Sequence, residues 1–95
     1  MKFGLNENTI EKIVSVFEAN PKVDKAWVFG SRAKGNYRPD SDIDIAVKGY
    51  DITMEDILKM SVALEGVGCK VDLIDYDAIK EKELREHVDR VGVEV

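Results

Sequence analysis

Hydrophobic and polar positions recur along this chain with two different periods. Apolar side chains at Ile10, Ile13, Val14 and Phe17 form one stripe of a helix. Asn8-Thr9-Ile10-Glu11 has the form of a variant capping box, which predicts a helix start at Asn8. Asn20-Pro21 should stop that helix, because the residue before a proline is pushed out of the helical region. The period then shortens. "KAWVF", residues 25–29, is an apolar run of strand formers bounded by Gly30. "SDIDIAV", residues 41–47, alternates with period two, so Ile43, Ile45 and Val47 face one way and Asp42, Asp44 and Ala46 the other.

Thr53 with Asp56 opens a second helix carrying Met54, Ile57, Leu58, Ser61 and Leu64, and Gly66 and Gly68 close it. "KVDLIDY", residues 70–76, reads as a third strand. "AIKEKELREHVDRV", residues 78–91, predicts a helix with Ile79, Leu84, Val88 and Val91 inward. The tail "VGVEV" has strand-like alternation. The order is helix, strand, strand, helix, strand, helix and a short strand. It predicts an α/β (α+β) architecture, a small mixed β-sheet with helices packed on it, in a single domain spanning residues 1–95. Trp27 should pack from its strand against the first helix, and Cys69 should be a buried or half-buried thiol. His87 should face solvent on a charged helix, and Tyr37 and Arg38 should lie in a loop.

Composition narrows the class of protein. Hydrophobic residues make up 44% and charged residues 35%, a balance that fits a folded soluble chain. No apolar run approaches the roughly 18–20 residues that span a bilayer, so no membrane association is expected. The N-terminus "MKFGLNENTIEK" lacks the apolar core of a signal peptide. One cysteine cannot form an internal disulfide, which points to a reducing, cytoplasmic setting. Nineteen acidic residues against 14 basic ones give a net charge of −5, which argues against direct nucleic-acid binding. The same balance suits divalent cations or a basic protein partner, and it leaves self-association open.

The candidate chemistry begins with Asp42 and Asp44. Strand residues two apart point to one face, about 6.5–7 Å from each other. Two carboxylates there repel and lose hydration unless a cation compensates. With no His or Cys nearby, the oxygen-only donor set suits Mg²⁺ or Mn²⁺ rather than Zn²⁺. Taken alone, the pair is equally the wet face of a strand. A calcium loop fails, because Ile45 stands where its turn glycine belongs and Asp51 where its bidentate Glu belongs. A Walker loop fails as well, since Gly30–Gly35 runs into Asn36-Tyr37 instead of Lys-Ser/Thr.

A simpler phosphate turn remains. Gly30 lets the backbone turn sharply and approach a ligand. Ser31 offers a hydroxyl and free backbone N–H groups to phosphate oxygens. Arg32 and Lys34 add positive charge, although a strand-to-helix turn can need Gly-Ser for its own sake. A third carboxylate could come from Asp72 or Asp75. Asp72 lies mid-strand between apolar neighbours, where an unpaired charge is costly, and is preferred on that ground.

"GSRAKGNYRPDSDID" resembles the Gly-Ser, ten-residue gap, Asp-x-Asp signature of the nucleotidyltransferase superfamily, whose best-known member is DNA polymerase beta. With "VDLID" as the third-strand motif, the chain looks like a minimal nucleotidyltransferase domain, with the palm-like fold that this implies. The resemblance implies that Gly30 and Ser31 hold the triphosphate, helped by Arg32 and more weakly by Lys34. It implies that Asp42 and Asp44 bind two Mg²⁺ ions and that Asp72 completes the triad. ATP would then be the substrate and a hydroxyl would accept AMP. Such proteins pair with a helical HEPN-domain protein as antitoxin and toxin, which makes a tyrosine of that toxin the expected acceptor. Two other readings stay open: a non-catalytic module that acts by docking, and a small-molecule adenylyltransferase completed by a helical partner.

Overall fold

Local capping decides where the first helix begins. In the computed structural model, which describes residues 3–95, α1 spans Glu7–Glu18. Its N-cap is Asn6, not Asn8 as expected. Asn6 has the extended backbone an N-cap needs, and its Oδ1 accepts the Thr9 N–H at 2.8 Å. Asn8 already lies inside the first turn. Ile13 and Phe17 are the buried positions of the stripe.

Strand β1, Val23–Phe29, starts two residues before the apolar run, because pairing with β2 extends the strand beyond it. Helix α2 is the short Ser31–Lys34 segment, and β2 is Ile43–Gly49. Helix α3, Met54–Ala63, opens with the expected reciprocal cap between Thr53 and Asp56. Strand β3 is Val71–Asp75. The helix expected from residue 78 begins later, as α4, Lys82–Val91. Asp75 instead accepts the Asp77 N–H and folds Tyr76–Ala78 into a 3₁₀ turn. The tail forms β4, Val93–Glu94.

The sheet order is β3-β2-β1-β4, with β1 antiparallel to β2 and β4, and β2 parallel to β3. One face carries Ala26, Val28, Ile43, Ile45 and Val47 against Ile13, Phe17, Met60 and Leu64. The other carries Phe29 and Ala46 against Val88 of α4, with Trp27, Ile74, Tyr76, Ile79, Leu84 and Val91 around them. Trp27 therefore packs away from α1, contrary to expectation. It alternates with the buried Ala26 and Val28, and meets Tyr76 at a 5.4 Å ring distance. The cap at Thr53 also sets the phase of α3. Met60 and Leu64 point inward, while Met54 and Leu58 stand 87% and 64% exposed.

Candidate active site

Gly30 ends β1 with φ 73° and ψ −153°, a conformation that side chains other than glycine's rarely adopt. A Cβ at this position would run into the Asp44 carboxylate. The turn therefore passes directly over Asp44, and glycine is needed for both the dihedral and the approach. Ser31 starts α2, half-buried, and its hydroxyl makes no hydrogen bond among the described residues. Lys34 ends the helix on the exposed side.

In the parallel register Asp44 of β2 stands beside Asp72 of β3, and on its other side it faces Phe29 of β1. Adjacent strands lie about 4.8 Å apart, so the two carboxylates are neighbours. Asp42 immediately precedes β2 with the same alternation. Burial pushes the Asp44 carboxyl above its usual range, and repulsion from Asp72 and then Asp42 adds to this, while His87 opposes. One point in space thus feels all three carboxylates.

Asp72 itself is exposed, so burial cost is not what marks it out. Strand β3 is the sheet edge, where water reaches the side chain. The register beside Asp44 distinguishes it instead. Asp75, the alternative, falls on the opposite face by alternation and caps the 3₁₀ turn.

Among the described residues, no three carboxylate, His or Cys side chains close to metal-ligating distance. Like charges without a counter-ion have reason to stay apart. The donor chemistry nevertheless fits a hard divalent cation: all oxygen, on one face, with Asp44 destabilised in its charged form.

Arg32 departs from its expected role. It is 3% exposed, the one buried charged residue among the described residues. Its Nε and Nη2 donate to the Ser41 carbonyl at 3.1 and 2.8 Å, Nη1 to the Phe3 carbonyl at 2.8 Å, and Nη2 to that of Pro39 at 3.3 Å. The Tyr37 ring lies against the guanidinium, 5.2 Å from its centre. Four of its five N–H groups are committed to these carbonyls and the group is buried, so it is poorly placed to steady a triphosphate.

His87 departs in the other direction. It is half-buried on α4, edge-on to Phe29 at 6.1 Å, and its field reaches Asp44. Helical spacing carried that signal, since Leu84, His87, Val88 and Val91 form an i, i+3, i+4, i+7 face. Cys69 is half-buried as expected, and burial pushes its thiol up.

This arrangement, a glycine turn over a carboxylate pair at the start of parallel strands, defines a nucleotidyl-transferring class of protein. Residues 11–95 match the family described as Polymerase beta, Nucleotidyltransferase, and the chain belongs to that family. It is an enzyme family, and the mixed four-stranded sheet with helices is its minimal fold.

A Methanocaldococcus jannaschii protein named "Putative protein adenylyltransferase" is 33% identical over 90% of this chain and 98% of its own length. The protein adenylyltransferase MntA of Shewanella oneidensis is 37% identical over 75% of this chain. The chain spans only 51% of that relative's length. A solved toxin–antitoxin complex with AMP-PNP contains a chain 30% identical, with a TM-score of 0.75 over 95% of this chain and 72% of that one. Another solved complex joins a tri-AMPylated Shewanella oneidensis HEPN toxin to its MNT antitoxin. It matches at 25% identity and a TM-score of 0.71, over 90% of this chain and 67% of that one.

Proposed function

We infer that the chain is a protein adenylyltransferase: residues 1–95 form a single domain that moves AMP from ATP to a tyrosine hydroxyl of a helical HEPN partner in the cytoplasm. The observation that carries this reading is the pairing of Asp44 with Asp72 in register, directly beneath the Gly30 turn. Names of the relatives support AMP as the group transferred, and the tri-AMPylated toxin supports the class of acceptor.

Asp42, Asp44 and Asp72 would hold Mg²⁺ or Mn²⁺, which when bound neutralises charge on the transferring phosphate. The chain's own residues do the rest by positioning. Gly30 would let backbone approach the triphosphate, and the Ser31 hydroxyl and N–H would bond its oxygens, with Lys34 at the exposed end of the same turn. The acceptor oxygen bonds to the α-phosphorus as the bond to the bridging oxygen breaks, and pyrophosphate leaves. Asp72, exposed on the edge strand, would take the proton of the acceptor hydroxyl. A partner chain is taken as the source of the acceptor, as the tri-AMPylated toxin bound to its MNT antitoxin suggests.

The test is incubation with α-labelled ATP, Mg²⁺ and the product of the adjacent reading frame. Label should appear on the partner and vanish with Asp42→Ala or Asp44→Ala. Label on a small molecule would replace the acceptor class. Toxin inhibition that survives both substitutions without label would make the chain a docking module.

A further inference from the structure

We propose that Arg32 is a positioning residue that fixes Asp42 by holding the peptide unit joining Ser41 to Asp42. The inference rests on reading Asp42 as part of the site. Asp44 and Asp72 are set by the ladder between β2 and β3, which begins at Ile43 and Val71. Asp42 lies one residue outside that ladder. The Ile43 N–H donates to the Lys70 carbonyl at 2.9 Å and so anchors the peptide on its C-terminal side, but the peptide on its N-terminal side needs another anchor.

The Arg32 guanidinium supplies it. Two of its N–H groups converge on the Ser41 carbonyl, the oxygen of the very peptide whose nitrogen belongs to Asp42. A third reaches Pro39 and a fourth the Phe3 carbonyl, so one planar fork joins the N-terminal segment to the loop ahead of Asp42. The loop closes on itself at the same place, with the Arg38 N–H donating to Ser41 Oγ and the Ser41 N–H to the Arg38 carbonyl. Burying a guanidinium without an ion pair is costly, and four hydrogen bonds to carbonyls offset that cost here. Lysine cannot reproduce the fork, because its ammonium is a single point on a flexible stem. Tyr37 completes the clip: its ring covers the guanidinium, and a Cβ at Gly4, φ +72°, would run into that ring.

Mn²⁺ binding, read by electron paramagnetic resonance with a non-hydrolysable ATP analogue present, tests this without needing transfer. Arg32→Lys should weaken Mn²⁺ binding about 10–100-fold, the range for residues that orient metal ligands. It should lower kcat while KM for ATP stays nearly constant. In an Asp42→Ala background Arg32→Lys should cost nothing further, because the path runs through Asp42. Gly4→Ala, far from the chemistry, should produce a smaller loss in the same direction and decides the matter if Arg32→Lys does not fold. Unchanged Mn²⁺ affinity in folded Arg32→Lys or Gly4→Ala protein, or an equal loss with Asp42 already removed, overturns the proposal. If Asp42→Ala itself leaves Mn²⁺ binding intact, the reading of Asp42 as a ligand fails first, and the proposal falls with it.

Discussion

On one face of the sheet Val28, Ile45 and Val47 lie fully buried beneath α1 and α3. On the other face the same strands present Phe29 and Ala46 to α4, and carry the half-buried Asp44 and the exposed Asp72. Within β2 the two roles alternate residue by residue: Ile43, Ile45 and Val47 hold the fold, while Asp44 and the preceding Asp42 are free to hold something else. A small domain can afford like charges on one face because the other face supplies most of its burial.

The largest effect expected from that division is loss of activity without loss of fold. Asp44→Ala should reduce transfer at least about a thousandfold, equivalent to ~4 kcal/mol of barrier. Its thermal midpoint should not fall, since the wild-type charge is disfavoured by burial and by its neighbours. A midpoint drop as large as that of a core substitution would break the comparison. On the covered face the pattern reverses. Ile45→Ala, one residue along, should cost about 2–5 kcal/mol of stability, a large share of the roughly 5–15 kcal/mol a small domain has. Denaturant unfolding reads that loss, and transfer by the remaining folded protein should persist.

A smaller effect tests how the covering helix is held. Thr53 accepts the Asp56 N–H at 3.2 Å and completes the cap of α3. Thr53→Ala should cost about 1 kcal/mol, which lowers the midpoint by about 4–8 °C in a domain of this size. Calorimetry would detect it, and Mn²⁺ binding on the other face should be unaffected.

How far each face could be read in advance follows the same division. Periodicity placed Ile43, Ile45, Val47 and the carboxylates on opposite sides, because alternation along a strand is local geometry. The Thr53–Asp56 cap was equally local. Partners brought by the fold were not. Trp27 lies on the α4 side and not against α1, because a strand inside a two-sided sheet gives no sign of which side each helix takes. Burial cost does not single out Asp72, because an edge strand exposes it, and the register with Asp44 explains its place. Arg32 reads as a phosphate ligand beside Gly30-Ser31, but three carbonyls, one from Phe3, take four of its five N–H donors. No spacing rule encodes that contact. His87 reads as a wet residue from its charged neighbours, yet the helical face it shares with Leu84, Val88 and Val91 points inward.

The smallest effect, and the sharpest contrast, lies in acid. Asp56 is tied to the Lys22 ammonium at 2.5 Å and to Thr53, and these bonds hold its carboxyl well below the usual carboxylate range. Its contribution is therefore present above the ordinary aspartate value of about 3.9 and is lost as pH falls below it. Asp44 is shifted the other way, by burial first and then by Asp72 and Asp42. In the absence of a cation the folded chain holds that proton more tightly than the unfolded one, so stability falls as pH rises through the raised value. Thermal unfolding across the acid range should separate the two. Asp56→Asn should flatten the loss below about pH 4, because the group that must be protonated is gone. Asp44→Asn should be more stable than wild type near neutrality, and the advantage should shrink toward acid as wild-type Asp44 takes up its proton. Saturating Mn²⁺ with an ATP analogue should reverse the neutral-pH ranking, since the charge that burdens the empty protein is the one a cation requires. If Asp44→Asn gains nothing near neutrality, the carboxylates are not crowding one another, and the two faces differ less than their residues suggest.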